Sequence, residues 1–546
     1  MYFMKKGICI IMLLLGVLLF CTCVENVIPP DIDPLPGEDN TLRSSVRITL
    51  PDEGVPLYNN ASVKVENTDL PLYFVYVNNE HTWGPNPDGR TGCGVGYFSL
   101  EGKAEISVAV SGMTSCVVRP LSAGVTADVT DGKAVFTLKS AGNYCIEPDG
   151  DPEKAIFLFV TGHETDTETG AEEKVIRFSK GIHTEENDPY IVNGEVTLTS
   201  GTKVILEEGA VVRARFKADN ASDITICGTG IIDGSCFVRN AVTGEVTVPL
   251  EFNYCSGVVF RDFSVLDPAG WCVNWYFCTD SQIDNIKIIS SRSNGDGISL
   301  QSCKDIDVRN CFLRTWDDSL VVKNYPRWND RNIEGETENI TFSNCVLWTD
   351  LAQSMEIGYE TIGKLMRNIT FSNITVLHNF HKPVMSIHNS NNADIENVVF
   401  DTITVEDASM GRGDAGSNAQ LCEIAVEFSS TWSTNHKTTA LGSITGVRVS
   451  NVTVLSGNAI IPVRVAGSRD MRSGYNASIH YVKDVVFENV WLGGKQLTSG
   501  YAYLSVNEYA EAEVIKGKEK VIASFDFVMD DEELAEYSDH AEVTVI

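Results

Sequence analysis

Residues 293–324 read SNGDGISLQSCKDIDVRNCFLRTWDDSLVVKN and contain two short β-type runs, GISLQ and SLVVK, each preceded by acidic residues. Asp296 precedes the first run, whereas Asp317 and Asp318 precede the second. If the runs are parallel strands on adjacent turns of a coil, about 4.8 Å apart, the three carboxylates lie close together. Neighbouring like charges oppose ionisation, so such crowding does not help a chain to fold. We therefore interpret the three aspartates as functional.

A loose sequence repeat supports the coil. Aligning Ile298 with Leu320 places the two runs 22 residues apart, and related elements recur within residues 174–494. These elements begin at Ser222, Ser256, Asp284, Asp305, Asn339, Asn368, Asn397 and Asp484. Short strands at a period of about 20 to 50 residues, without intervening helices, are typical of a β-solenoid. We predict such a domain over residues 174–494.

Asparagine recurs at one place in this repeat, at Asn310, Asn344, Asn373, Asn451 and Asn489. Because asparagine tolerates left-handed backbone geometry, we predict a tight turn there, with side-chain amides stacked from one turn to the next. Cys311 and Cys345 each follow one of these asparagines, and we expect them to be small apolar core residues.

The sequence before the repeat has the pattern of a second, different β domain. Residues 45–162 contain short apolar runs separated by turn residues and show no helical periodicity, which is typical of a β-sandwich. Such a module can bind a ligand or pack against a neighbouring domain, and we favour packing. After the repeat fades, residues 495–546 are predicted to form a C-terminal cap segment.

The N-terminus has the pattern of an export signal. Residues 1–23 combine two lysines, an apolar run and the sequence Cys-Thr-Cys, and this run is short for a transmembrane helix. We predict lipidation of Cys23, with an ordinary secretory signal as the alternative. Residues 24–44 are rich in proline and predict an extended tether. The protein is thus expected to be lipid-anchored at the cell envelope or outer membrane, or otherwise periplasmic or secreted.

Composition excludes some partners. The chain has 42 basic and 74 acidic residues, a net charge of −32, and removing residues 1–23 takes away two lysines, which leaves −34. A surface this acidic repels polyanions, so we expect no nucleic-acid partner. No later stretch of the sequence is long and apolar enough to span a bilayer, so we expect membrane contact only through a lipid anchor. The cysteines outside the signal form no Cys-x-x-Cys pair and no zinc pattern. We expect a monomer without a metal or cofactor.

These motifs resemble the right-handed parallel β-helix glycoside hydrolases, which include the polygalacturonase family and its clan relative, the dextranase/isopullulanase family. Asn294–Gly297 is similar to the Asn-Thr-Asp-Gly motif of polygalacturonases, and Asp317–Lys323 is similar to their Asp-Asp motif with a trailing lysine. Leu206–Val211 and Gly228–Gly234 resemble the opening coils of these enzymes, and a preceding β-sandwich resembles the dextranase branch. The resemblance implies an all-β, right-handed parallel β-helix and O-glycosyl hydrolase activity.

The resemblance also implies catalytic roles. Hydrolysis of a glycosidic bond needs one carboxylic acid to protonate the leaving oxygen and one carboxylate to activate water. Asp317 corresponds to the acid, with a pKa raised by its neighbours, and Asp296 and Asp318 correspond to the bases. The implied mechanism inverts configuration. The alternative, that these aspartates are turn or strand-cap residues, explains one of them more easily than three.

Two departures from the polygalacturonase pattern bear on the substrate. Gln353 replaces the histidine of the Gly-His-Gly motif, and Ser386–His388 replaces the Arg-Ile-Lys sequence that binds a uronate carboxylate. Glu356 and Tyr359 are similar to a polar and an aromatic residue of the dextranase branch. We therefore expect a neutral or weakly charged polysaccharide or oligosaccharide, with Gln353, Glu356, Tyr359 and His388 among the substrate-binding residues.

Aromatic and basic residues complete the predicted site. Trp316 lies beside the acid pair and is the best candidate for a ring that stacks on a sugar face. Trp271 is a further candidate, followed by Tyr325 and Trp328. Lys323 either binds a sugar hydroxyl or is a solvated residue at a strand end.

Two other classes use the same solenoid. Polysaccharide lyases abstract a proton with lysine or arginine and often use Ca²⁺, and the candidates for such a base beside the aspartates are Lys323 and Arg327. A non-catalytic glycan-binding or adhesive solenoid would keep the groove and dispense with the acids.

Overall fold

Nearly all regular structure in this protein is β-strand. The computed structural model describes residues 42–79, 90–163, 174–239, 246–325, 334–407, 421–430, 440–455, 461–524, 529 and 531–546, and residues 42–546 form one compact unit. The predicted signal, Cys23 and most of the predicted tether lie outside the described residues. Within the described ranges, no helix is long and apolar enough to cross a membrane.

The first part of the described chain is a β-sandwich. Its strands are β1 (Ser45–Ile48), β2 (Ser62–Val65), β3 (Thr68–Leu70), β4 (Leu72–Asn78), β5 (Arg90–Glu101), β6 (Ala104–Ala109), β7 (Cys116–Arg119), β8 (Asp128–Thr130), β9 (Lys133–Leu138), β10 (Gly142–Pro148) and β11 (Ile156–Thr161), with 3-10 turns at Leu121–Ala123 and Pro152–Lys154. One sheet has the order β3-β2-β6-β9-β8; the other has the order β1-β5-β11-β10-β7, with β4 also paired to β5. Every second residue of β9 is buried, as expected for a strand with one face on a core.

The repeat region forms a parallel β-helix. Its first strands are β12 (Lys174–Phe178), β13 (Gly181–His183), β14 (Glu195–Leu198), β15 (Thr202–Leu206), β16 (Ala210–Val212), β17 (Arg215–Asp219), β18 (Thr225–Cys227), β19 (Ile231–Asp233), β20 (Leu250–Asn253), β21 (Val259–Arg261), β22 (Ser264–Leu266), β23 (Val273–Tyr276), β24 (Thr279–Asp284), β25 (Lys287–Ile289), β26 (Ile298–Gln301), β27 (Lys304–Arg309), β28 (Phe312–Thr315) and β29 (Leu320–Asn324).

The later strands continue the same coil and end near the C-terminus. They are β30 (Gly335–Ser343), β31 (Val346–Thr349), β32 (Met355–Thr361), β33 (Gly363–Asn379), β34 (Met385–Asn389), β35 (Asp394–Asp407), β36 (Cys422–Val426), β37 (Ser443–Val454), β38 (Val463–Ala466), β39 (Ser468–Arg469), β40 (Ile479–His480), β41 (Val482–Glu488), β42 (Trp491–Leu492), β43 (Lys495–Gln496), β44 (Leu504–Val506), β45 (Ala510–Ile515) and, after a short helix α1 (Asp531–Ala535), β46 (Glu542–Val545).

Two parallel ladders make up the β-helix. The groove sheet has the order β14-β17-β20-β23-β26-β29-β32-β34-β36-β38-β44, and a second ladder of 21 strands forms the remaining faces. In the groove sheet Ile298 pairs with Leu320, so the 22-residue repeat is one turn of the helix there. The predicted right-handed parallel β-helix with a preceding β-sandwich is confirmed. The ladders extend to Ile515, beyond the predicted boundary at residue 494.

The interior of the helix is apolar and stacked. Phe342, Phe371 and Phe400 lie on successive turns with ring centroids 4.8 and 5.0 Å apart and nearly parallel planes. Cys311 and Cys345 are fully buried in this core, as expected, and all twelve cysteines in the described ranges are free thiols. Burial of such rows supplies most of the stabilisation that a solenoid has, because each turn contacts only its neighbours.

The predicted asparagine turns are confirmed. Asn310, Asn344, Asn373, Asn451 and Asn489 all have positive φ values, between 52° and 59°. The Asn373 amide donates to Asn344 Oδ1 at 2.7 Å, and the Asn489 amide donates to Asn451 Oδ1 at 2.8 Å. We call this row the asparagine ladder.

The sandwich packs against the outer face of the helix. Phe157 and Phe159 of the sandwich contact Phe312 of the helix, with ring centroids 5.4 and 5.1 Å apart, and Phe157 also contacts Trp348. Buried ion pairs join the same surfaces, including Arg119 with Glu406 at 2.9 Å and His378 with Glu147 at 2.6 Å. The described contacts thus agree with a packing role for the sandwich.

The C-terminal segment returns to the sandwich. Strand β46 pairs in parallel with β1, in a register that joins Ser45 to Glu542 and Ile48 to Val545. The predicted cap therefore has two parts: β43 to β45 close the helix, and residues 531–546 complete a sandwich sheet.

Candidate active site

The groove sheet aligns one residue from each of four successive turns just before its strands begin. The column contains Trp271, Asp296, Asp318 and Gln353, since the registers pair the residues that follow them. Main-chain amides from the adjacent turns donate to the carbonyl oxygens of Asp296, Asp318 and Gln353 at 2.8 to 3.0 Å. The parallel ladder therefore continues through the turn and sets the positions of both acidic residues.

The structure brings the three predicted aspartates together. Asp296, Asp317 and Asp318 offer carboxylate oxygens that all lie within 4.8 Å of one another. None of the three residues is more than 8% exposed. We call this group the acidic trio. Its compactness follows from the parallel register, because Asp296 and Asp318 occupy equivalent positions on adjacent turns.

Hydrogen bonds distinguish the members of the trio. The Asp318 amide donates to Asp317 Oδ1 at 3.0 Å, and the Gln353 amide donates to Asp318 Oδ1 at 3.2 Å. Both carboxylate oxygens of Asp296 are buried and accept no hydrogen bond from any described residue. A buried polar group of this kind normally has a partner, so the Asp296 oxygens are well suited to bind a water molecule.

Lys323 lies among the carboxylates. Its Nζ atom is 3.5 Å from Asp296, 3.7 Å from Asp318 and 3.6 Å from Glu360, and it lies 5.1 Å from the Trp271 ring centroid. The side chain is buried, so it is not the solvated strand-end residue that was one of its two predicted states. Glu360 was not predicted: a register irregularity after Val322 brings it to the site.

Burial changes the protonation of the whole cluster. Burial raises the pKa of each carboxyl group in the trio, the Asp317 charge further raises those of Asp296 and Asp318, and Lys323 lowers all three. Burial would lower the pKa of Lys323, but the surrounding carboxylates raise it well above its ordinary value. Lys323 is therefore protonated near neutral pH, and the trio keeps a proton to higher pH than an isolated aspartate does.

The aromatic residues differ in their access to the groove. Trp316 is fully buried, so its ring is not presented as the sugar platform that the sequence predicted. It lies in the corner between β28 and β29. Side chains alternate between two faces within a strand, but this rule gives no orientation for a residue in a corner. Trp271 is partly exposed and packs edge-on against Tyr325, with ring centroids 6.0 Å apart. Trp328 and Arg327 lie outside the described residues.

A chain of charges continues along the groove sheet from the trio. His388 Nδ1 lies 2.9 Å from Glu356, and His388 Nε2 lies 3.4 Å from Glu423. Tyr359 stacks on the His388 ring at 4.2 Å with parallel planes. Arg464 pairs with Glu423 and, at 2.8 Å, with Glu427. The structure thus joins three predicted residues, Glu356, Tyr359 and His388, to Glu423 and Arg464, which were not predicted.

These contacts determine the charge of His388. Burial would lower its pKa, but the Glu356 and Glu423 carboxylates raise it to about 10. His388 is therefore a permanent cation near neutral pH whose charge is already balanced by two carboxylates. An acidic sugar would have to displace one of them.

The trio can serve two kinds of chemistry. Three clustered carboxylates can act as proton donor and bases, or they can bind a hard cation such as Ca²⁺. The ammonium group of Lys323 already contacts Asp296 and Asp318, which favours proton transfer over metal binding at this position. A groove on a parallel β-helix with such a trio defines the class of β-helix carbohydrate-active proteins.

The comparisons with known proteins agree with this class. Residues 183–349, which include the acidic trio, match the family model described as glycosyl hydrolases family 28. No curated protein matches the chain in sequence. The resemblance to β-helix glycoside hydrolases is confirmed, and the match supports a glycoside hydrolase that acts on polysaccharides.

Solved structures provide a separate comparison of the fold. Dex49A from Penicillium minioluteum has a TM-score of 0.55 and 12% identity, covering 91% of this chain and 96% of that chain. The hyperthermoactive exopolygalacturonase from Thermotoga maritima has a TM-score of 0.43 and 16% identity, covering 63% of this chain and 84% of that chain. The likeness to Dex49A shows that the two proteins share a fold.

Proposed function

We propose that this protein is a glycoside hydrolase that cleaves a neutral polysaccharide or oligosaccharide with the acidic trio. The observation that carries the proposal is the clustering of three buried carboxylates within 4.8 Å around one lysine. Isolated turn aspartates have no reason to be buried together, because burial and mutual repulsion both oppose their ionisation. The family match over residues 183–349 supports the same reaction class.

The contacts of Lys323 support the division of roles. Lys323 ion-pairs with Asp296 and Asp318 but not, among the described contacts, with Asp317. The ammonium group favours the charged forms of its two direct partners, which suits them as bases. In the proposed reaction the acid proton lies on Asp317 when substrate is bound, as the resemblance implies. Asp317 donates this proton to the glycosidic oxygen, and the leaving sugar departs as an alcohol. Asp296 and Asp318 remove a proton from the water that bonds to the anomeric carbon.

The inverting outcome rests on the resemblance. Oxygen separations below 4.8 Å are shorter than the roughly 6.5–9.5 Å between carboxyl groups in typical inverting enzymes and the roughly 5–5.5 Å in retaining ones. The stereochemistry is therefore tested directly, by recording proton NMR spectra of the anomeric products during the first turnovers. Inversion is the expected result, and a product that keeps the substrate's configuration would contradict it.

A neutral substrate is proposed because the described cations at and beside the position of the uronate-binding motif already have carboxylate partners. His388 and Arg464 are each engaged by two carboxylates. The test is a panel of polygalacturonate, dextran and galactan, with reducing ends measured at pH 5 and pH 7. We expect turnover on a neutral polymer and little on polygalacturonate. A clear preference for polygalacturonate at both pH values would contradict the neutral class.

A metal-dependent lyase is the second candidate, favoured by the cation-binding geometry that the trio also offers. A lyase needs an unprotonated base, whereas Lys323 is held protonated by its carboxylate neighbours. Exhaustive chelation separates the two classes. We expect full release of reducing ends after chelation and no unsaturated, ultraviolet-absorbing product. Loss of activity with rescue by Ca²⁺ would move the protein to the lyase class.

We also propose that the protein is exported and lipid-anchored through Cys23. The support is the order of two lysines, an apolar run and Cys-Thr-Cys in residues 1–23. Metabolic labelling with palmitate should mark the wild type and leave Cys23→Ser unlabelled. Equal labelling of both proteins, or none in the wild type, would contradict anchoring at this residue.

A further inference from the structure

Arg239 lies at the edge of the acidic trio in a loop that follows β19. Its Nη2 group donates to Asn294 Oδ1 at 2.5 Å, two residues before Asp296. The charges of Asp317 and Asp296 both act on the guanidinium, which shows that it lies near them. Sequence reasoning did not identify this residue, because the loop belongs to no repeat.

The segment just before Arg239, residues 234–237, is held in place. Arg292 is buried, forms an ion pair with Asp267 at 2.9 Å and donates to the carbonyl oxygens of Phe237 and, at 3.4 Å, Gly234. The position of the guanidinium is therefore set by main-chain contacts on one side and by Asn294 on the other.

Two donors of Arg239 are unused. Its Nε and Nη1 atoms are buried and have no hydrogen-bond partner, and no described carboxylate forms an ion pair with the side chain. Three other cations of the groove, Lys323, His388 and Arg464, each contact at least two carboxylates. Leaving guanidinium donors buried and unpaired is costly, so a purely structural role does not account for Arg239.

We propose that Arg239 is a substrate-binding residue whose Nε and Nη1 groups donate to two hydroxyl oxygens of the sugar unit next to Asp317. The guanidinium presents its donors as a planar fork, which suits a pair of neighbouring oxygen atoms. Neutral hydroxyls fit better than a carboxylate, because the nearby trio would repel an anion. This inference rests on the proposed glycoside hydrolase function.

The experiment uses the full chain as wild type, Arg239→Gln and Arg239→Lys, with Arg309→Gln as the matched control. Arg309 lies on the other ladder and is ion-paired with Asp284 and Asp307. For whichever of dextran or galactan the wild type cleaves, kcat/KM should fall roughly 10- to 100-fold in Arg239→Gln, the loss expected for charge-assisted hydrogen bonds. Arg239→Lys, which keeps the charge and loses the fork, should also fall, and Arg309→Gln should match the wild type.

Thermal unfolding distinguishes binding from support of the loop. Nε and Nη1 have no protein partner and the substitution loses the hydrogen bond from Nη2 to Asn294, so Arg239→Gln should unfold close to the wild-type temperature. A lower unfolding temperature with a matching loss of activity would assign Arg239 to loop structure and overturn the inference. So would an unchanged kcat/KM, or a loss confined to polygalacturonate. Absence of reducing ends from the wild type on all three polymers would instead remove the proposed function, and this inference with it.

Discussion

Two corners of the β-helix stack polar residues from one turn to the next. The stacking is favourable in one corner and unfavourable in the other. In the asparagine ladder, Asn373 donates to Asn344 at 2.7 Å, so the amide of one turn satisfies the amide of the preceding turn. In the acidic trio, the same parallel stacking places Asp296 beside Asp318, and two ionised carboxylates cannot donate to each other. A geometry that stabilises dipoles therefore raises the energy of charges. We therefore expect the asparagine ladder to be maintained for stability and the acidic trio for the proposed chemistry.

The largest effect should come from Asp317→Asn. The change removes the proposed proton donor, so hydrolysis should fall by at least ~10²-fold. It also removes one of three crowded carboxyl groups, so thermal unfolding should show stability equal to or above that of the wild type. A folded variant with near-normal release of reducing ends would show that the trio is not the catalytic group.

Lys323→Met tests whether the Lys323 ammonium group stabilises the ionised carboxylates of the acidic trio. The ammonium group lowers the pKa values of Asp296 and Asp318, so its removal should raise them. The acid limb of the pH profile of kcat/KM should shift to higher pH by about 1 to 3 units. Lys304→Met is a suitable control, since Lys304 pairs with Glu336 outside the trio. An acid limb that does not move would contradict the assigned role of Lys323.

Asn373→Ala tests the opposite corner. Its φ of 52° disfavours alanine, and the change also removes the hydrogen bonds to Asn344 and Ser524. The free energy of unfolding should fall by about 1–3 kcal/mol, with kcat/KM unchanged. Asn373→Gly separates the two causes, because glycine accepts the backbone angle and loses only the amide contacts. Loss of activity in a stable Asn373→Ala protein would contradict the comparison.

The smallest effect concerns His388. Its pKa is raised to about 10 in the folded protein, above the ordinary value of 6.5. The stabilisation from its pairing is thus fully present below about pH 6.5 and is lost as the pH rises through 10. Denaturant unfolding should show His388→Gln clearly less stable than the wild type at pH 6, with a smaller difference at pH 9.5. Substrate preference should be the same at pH 5 and pH 7, because the histidine remains charged throughout.

Sequence reasoning succeeded for residues whose position follows from the regular repeat of the β-helix. The pairing of Ile298 with Leu320, the convergence of the trio and the left-handed asparagines all follow from a repeat that the residues display. It failed where the coil departs from that period. Glu360 reaches Lys323 through a register irregularity, and Trp316 is buried in a corner where strand alternation gives no orientation.

Residues outside the repeat were also missed, for a related reason. Glu423 follows a long insertion between β35 and β36, so its alignment with Glu356 and Ser386 is visible only in the register. Arg239 lies in a loop whose position depends on Arg292 and Asn294. Such contacts are set by tertiary structure, and a single sequence has no local signal for them.

The pairing of β46 with β1 has a consequence for the order in which the chain is made. Residues 45–48 are synthesised nearly 500 positions before residues 542–545, yet the two segments are adjacent strands of one sheet. The β-sandwich is therefore synthesised before the solenoid, but its sheet is completed only after the solenoid has been made. Until then, the outer side of β1 has unpaired amide and carbonyl groups, a state that favours pairing with other chains. The solenoid can grow turn by turn during synthesis, whereas the sandwich has to wait for residues 542–545.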